Sequence, residues 1–273
     1  MVILILGVLS TVLVNILRGP LTAYIDVQRR SDIVDIAETA LQRMTREIRL
    51  ALPNSIRATG TSIEFLRTVD GGRYRRLPDG SNNDVCISDT DKIKLNSASD
   101  CFEIMGSLVN LPIAPPPPTG TSLLNCRNQT ALCLVIFNTG QSGANAYALD
   151  NIAAISAISA NSITFNNSGD VPGFKFPNKS PRQRFQIVDT PVSFICSGSN
   201  ITRYSGYTIQ NVTVPTSGTS ANLLIDNLTA CVISYDAGTS TRAALVTISL
   251  TITQSDSGES VSLLQQAHVD NQP

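Results

Sequence analysis

Six cysteines, one histidine and a run of aspartates are the residues of this 273-residue chain whose types could carry chemistry. The cysteines fall as three near pairs along the chain: Cys86 with Cys101, Cys126 with Cys133, and Cys196 with Cys231. An even set with no C-x-x-C spacing points to disulfides made in an oxidising compartment rather than to a zinc site. The spacing leaves the connectivity open, and nearest-neighbour pairing is the expectation. His268 is the only histidine. A Ser–His–Asp or Cys–His site would have to use it, beside the C-terminal Gln272-Pro273 in a segment that reads as strand. No Walker, dinucleotide or G-x-S-x-G motif occurs, so the chain reads as a non-enzyme without a cofactor. Asp79, Asp84, Asp89 and Asp91, around the turn Asp79-Gly80-Ser81, form the best oxygen-rich candidate for calcium. They do not meet EF-hand spacing, so a solvated turn is the simpler expectation and no metal is assigned.

The elements that must position these residues follow from composition and periodicity. Hydrophobic residues make up 42% and charged residues 15%, with 20 basic against 21 acidic side chains and a net charge of −1. Basic residues form no patch beyond pairs such as Arg29-Arg30 and Arg75-Arg76, which excludes nucleic acid as a partner. A Ser-, Thr- and Asn-rich surface with thinly spread charge suits an exported protein.

Met1 to Leu17 carries no charge, and its apolar positions include Met1, Ile3, Ile5, Val8, Val12 and Ile16. A bilayer core needs about 20 apolar residues in a helix, so the run is marginal in length but reads as membrane-inserted. Gly19 and Pro20 follow, where a missing donor is expected to kink the helix. Helical period then resumes, with Ile25, Ile33, Ile36, Ala37, Ala40, Leu41, Met44, Ile48 and Leu52 in one apolar stripe. Acidic residues dominate its first half and basic ones its second, and Pro53-Asn54 ends it. The expected division is a helix over 1–52, kinked near 19–20, and a β-rich, disulfide-bonded head over 53–273.

Beyond Pro53 short alternating runs predict strands at Ser62–Arg67, Cys133–Phe137, Ser162–Phe165, Arg184–Val188, Ser193–Cys196, Ala230–Tyr235, Ala243–Thr253 and Val261–Val269. Turn signals include Asp70-Gly71-Gly72, Asn138-Thr139-Gly140, Pro172-Gly173 and Asp256-Ser257-Gly258. Pro115 to Pro118 predicts a stiff polyproline connection. The expected class is α+β, with the amphipathic half of the long N-terminal helix packed on an antiparallel β-sheet head.

Four stretches carry a resemblance: MVILILGVLSTVLV with Gly19-Pro20, AETALQRMTREIRLALPNSIR, RFQIVDTPVSFICSGSNITRYSGY and GESVSLLQQAHVDNQP. Through them the chain resembles the type IV pilin and pseudopilin superfamily, and within it the MshO-type minor pilins of MSHA pili, relatives of the J-type pseudopilins. The resemblance implies a pilin-like head and a prepilin signature immediately upstream of Met1. It implies a structural minor pilin held in the bacterial inner membrane with its head in the periplasm, then assembled into a surface pilus. The implied partners are other pilin subunits, the inner-membrane assembly platform and, before assembly, the lipid bilayer. The alternatives are a J-type pseudopilin of a type II secretion system and a membrane-anchored adhesin or carbohydrate-binding protein.

Overall fold

The computed structural model describes all residues except 1, 76–85, 87–100, 112–117, 167–173, 175, 212–219, 239–241, 255–257 and 273. Chain order begins with the long helix α1 (Val2–Ile48) and the strands β1 (Arg57–Ala58), β2 (Ser62–Tyr74) and β3 (Cys101–Met105). A short helix α2 (Leu123–Arg127), β4 (Cys133–Val135), β5 (Ile152–Ile158) and β6 (Ser162–Phe165) follow. The chain closes with β7 (Arg184–Ser197), β8 (Asn200–Ser205), β9 (Ser220–Ile225), β10 (Leu228–Asp236), β11 (Ala244–Thr253) and β12 (Ser260–Val269).

The pairing is antiparallel throughout. It places β1-β2-β3-β6-β5-β4-β7-β8-β9 in one sheet, and an added β2–β7 ladder joins two of its inner strands. That extra pairing closes a ring: β2 pairs β3, β3 pairs β6, β6 pairs β5, β5 pairs β4, β4 pairs β7, and β7 returns to β2. The result is a small closed barrel, which removes free edges from those six strands. Its interior is filled by Phe102, Phe165, Phe185, Leu134, Ile155 and Ile187, all buried. Phe102 meets Phe185 edge-on at 5.3 Å between ring centroids, and Phe165 meets Phe176 in the same way.

β2 and β7 are longer than the barrel needs. Ser62 to Leu66 pairs with Pro191 to Ile195 below it, and the register shifts between Leu66, Thr68 and Asp70 mark where the strands leave the ring. Bulges of this kind bend a strand and raise its twist. The lower halves of β2 and β7, with β8 and β9, form one wall around α1. The separate sheet β10-β11-β12 forms the other. A bridge between Gly60 and Ile233 and the Cys196–Cys231 disulfide join the two walls. On β11 Ala244, Val246, Ile248, Leu250 and Ile252 alternate inward, the period of a strand with one buried face.

The expected α+β class with a pilin-like head is corrected by this architecture. Sheet dominates the chain, and a closed barrel stands beside the helix-binding walls. Five strands went unread: β1 and β3 (CFEIM) are short, and IAAISAI on β5, NITRYS on β8 and SANLLI on β9 show weak alternation in Ser-, Ala- and Asn-containing segments. Asp70-Gly71-Gly72 is no turn but lies inside β2, because Gly71 and Gly72 allow the backbone and ring of Phe185 to approach. Arg184–Val188 and Ser193–Cys196 are one strand, since Pro191 is accommodated in the ladder at the level of Leu66.

α1 ends at Ile48 instead of Leu52. Its last turn tightens through bonds from Leu50 to Glu47 and from Ala51 to Ile48, and Leu52 N–H then donates to Leu66 at 2.8 Å. Pro20 lies inside the helix, which continues on both sides of it.

Phe185→Ala would empty the centre of the barrel and is expected to cost about 3–5 kcal/mol. Leu264→Ser, on the exposed face of β12, is expected to change stability by less than about 0.5 kcal/mol. Urea unfolding followed by circular dichroism measures both.

Candidate assembly site

α1 is two helices in physical terms. Ile33, Ala37, Ala40, Leu41, Met44 and Ile48 are buried together with residues of both walls, at the three- and four-residue intervals that put them on one face. Between Val2 and Asp32 no described side chain is buried, and only Arg29 is partly covered. At 1.5 Å per residue, roughly 45 Å of helix therefore extends beyond the covered half with its described side chains almost all in solvent. Val2, Ile3, Leu6, Val12, Leu13, Ile16, Tyr24, Ile25 and Val27 are all exposed on it.

Charged side chains tie the covered half in place. Glu47 accepts from Nε of the buried Arg203 at 2.7 Å and from Nε of Arg43 at 3.3 Å. At the exit Arg30 faces Glu259 at 3.8 Å. The Arg203–Glu47 pair holds β8 to the helix, and removing one partner would strand a charge in the wall.

Of the assembly residues expected from sequence, Ile3, Val12, Ile16, Gly19 and Pro20 are exposed on this protruding half. Met1 and the side chains of Ile5 and Val8 lie outside the described residues. Among the described residues no helix is long and apolar enough to cross a membrane. The cysteines pair as Cys86–Cys101, Cys126–Cys133 and Cys196–Cys231, with Cα separations of 5.7, 5.7 and 6.4 Å. Asp79, Asp84, Asp89 and Asp91 lie outside the described residues, as do Pro115 to Pro117. Among the described residues no cluster of His, Cys, Asp and Glu could hold a metal. His268 lies on the exposed side of β12 opposite Leu245.

One convergence of ionisable groups was missed in the sequence. Arg57 and Glu64 face each other across the β1–β2 pairing. The Nε of Arg57 donates to the buried Glu64 carboxylate at 2.8 Å, and its guanidinium lies 3.6 Å from the Tyr147 ring centroid. The Arg57–Glu64 spacing across Gly60 was the available signal, because a short antiparallel pairing brings such residues opposite one another. Burial raises the Glu64 carboxyl above its usual range, against the opposing pull of Arg57. Burial, reinforced by the Glu64 charge, likewise pushes the Tyr147 and Tyr207 hydroxyls upward. Tyrosine hydroxyls that hold their protons this tightly are poor acids at neutral pH.

Set against family models, curated proteins and solved structures, the chain matches none of them.

The folded state holds the Tyr147 proton more tightly than the unfolded chain, where tyrosine titrates at about pH 10. The stability this contributes is complete below that pH and is lost as the pH climbs toward the folded value. Tyr147→Phe keeps the ring beneath the Arg57 guanidinium and is expected to cost no more than about 1.5 kcal/mol at neutral pH, the range of a single hydrogen bond. It should also reduce the loss of stability above about pH 10, as read from urea midpoints at neutral and alkaline pH.

Proposed function

We propose that this protein is a structural subunit of a type IV pilus-like surface filament, of the MSHA minor pilin kind, and that the protruding half of α1 is its assembly element. One observation carries the proposal: a long helix end on which every described apolar residue is exposed. A monomeric soluble protein rarely leaves a continuous apolar surface of this extent in water. Such a surface demands lipid or other helices, and an exported filament subunit meets both in succession. The uncharged run Met1 to Leu17 would rest in the inner membrane with the head in the periplasm. On assembly the same run would exchange lipid for the helices of other subunits, moved by an inner-membrane platform.

The disulfides fit this location, because periplasmic chemistry makes and keeps them. The head argues for no particular binding target, and the proposal rests on the helix and not on the architecture of the head. The shared chemistry of J-type pseudopilins makes a secretion pseudopilus the neighbouring assignment within the same mechanism.

Deleting residues 2–17 tests the proposal, since the covered half of α1 starts only at Ile33. The shortened chain is expected to keep its disulfides and its cooperative unfolding. It should lose membrane fractionation and incorporation into surface filaments, as seen by immunogold labelling of sheared material. A truncated chain that retained the full surface phenotype would refute assembly through the helix.

A further inference from the structure

A groove runs along α1 on the side of β9. Its upper part, about 380 Å³, is lined by Asp35, Ile36, Ala40, Arg43, Leu223 and Leu224. Its lower part, about 180 Å³, shares Ile36 and extends past Asp32 and Arg29 to Asp226 and Ile252. Ile36 and Leu223 are the large apolar residues open to solvent there, at 53% and 58% exposure. The lower end opens where α1 leaves the head, so the groove is continuous with the flank of the protruding helix. Ile25, Arg29, Asp32 and Ile36 follow at intervals of four, three and four and lie on that one flank.

We infer that this groove receives the protruding helix of a second copy of the chain, with its Tyr24 and Val27 seated against Ile36 and Leu223. The inference rests on the assembly reading above and names its contact.

The charge sequence of α1 selects the occupant and its level. Asp32, Asp35 and Glu38 repeat every third residue, and so do Arg43, Arg46 and Arg49, eleven residues later. Copies in register would place like charges side by side. A parallel copy shifted toward the head by those eleven residues, roughly 16 Å of helix, brings Asp32 and Asp35 level with Arg43 and Arg46, with Glu38 beside the turn at Arg49 that follows the helix. The same shift brings Tyr24 and Val27 of the incoming helix to the levels of Asp35 and Glu38, astride Ile36. One displacement thus satisfies both the apolar groove and two charge levels on the helix. Complementary charge of this sort fixes register more than it adds affinity. The contact is heterologous, a groove on one copy and a helix flank on the next, and such contacts propagate into filaments when the rotation does not close.

The test uses the full-length chain in detergent or lipid vesicles, with Val27→Cys in one preparation and Leu223→Cys in another. Among the described residues no other cysteine is free, so a short bismaleimide reports only these positions. A cross-linked dimer is expected in the mixture and in neither preparation alone. Adding Ile36→Arg to the Leu223→Cys chain is expected to cut the yield roughly tenfold, the change produced by about 1.4 kcal/mol. Ile36 is exposed, so that substitution leaves the fold of the head intact. Copies that sediment as oligomers without this cross-link, or that cross-link equally within one preparation, would refute the groove contact while leaving the assembly proposal standing. A cross-link formed only with a different protein would refute the chosen occupant. Chains that stay monomeric in detergent and in lipid would refute the groove contact, while the deletion of residues 2–17 decides the assembly reading.

Discussion

The ladder between β2 and β7 is the interaction on which the rest of the molecule depends. From Ser62 to Arg73 on one strand and Arg184 to Ile195 on the other, it runs the whole length of the head. Its upper half closes a barrel around phenylalanines, and its lower half supplies a wall for the helix. Two cores with different geometry therefore share one pair of strands. The register shifts at Leu66, Thr68 and Asp70 are where the chain changes from one duty to the other, as bulges do when they re-aim a strand. Weakening this ladder would loosen both cores together.

The helix is constrained from two sides. Its stripe from Ile33 to Ile48 must be buried, and the walls built on β7–β9 and on β10–β12 bury it. Neither wall could do so alone. The Gly60–Ile233 bridge, the Cys196–Cys231 disulfide and the Arg203–Glu47 pair hold them at the required separation. A rigid seat of this kind explains how a helix can leave the head at a defined angle with a long exposed end. A loosely held helix would fold its apolar surface back onto the nearest sheet. Fixing the exit keeps that surface available to other chains.

The polar groups inside the head do a different job. Glu64, Arg57, Tyr147 and Tyr207 meet beneath the surface, yet burial moves every acid among them toward its neutral form. Asn54, Asn138 and Asn271 show the same structural use of polarity. The Asn54 amide donates to the carbonyls of Asn138 and Asn271, and Asn138 donates to Pro53. These bonds tie the end of the helical region, the β4–β5 connection and the C-terminal tail together. Hydrogen bonding of buried backbone groups accounts for them without any ligand.

The sequence by itself determined the long N-terminal helix, its change from an apolar to an amphipathic half, and most of the strongly alternating strands. Those features are local: period, charge gradient and turn residues act within a few neighbours. The expected neighbour pairing of the cysteines also agrees with the three bonds observed. Tertiary structure alone decided that β2 and β7 close a barrel, that the Ser- and Ala-rich segments of β5, β8 and β9 become strands, and that Gly71-Gly72 stays extended. Each depends on partners far along the chain, and propensity yields to such pairing because a strand is stabilised by what lies across from it. The groove between α1 and β9 was likewise invisible, since Ile36 and Leu223 come together only after two sheets have wrapped the helix. The exposed helix end could be read from residue types, whereas its receptor on the head had to be built by the fold.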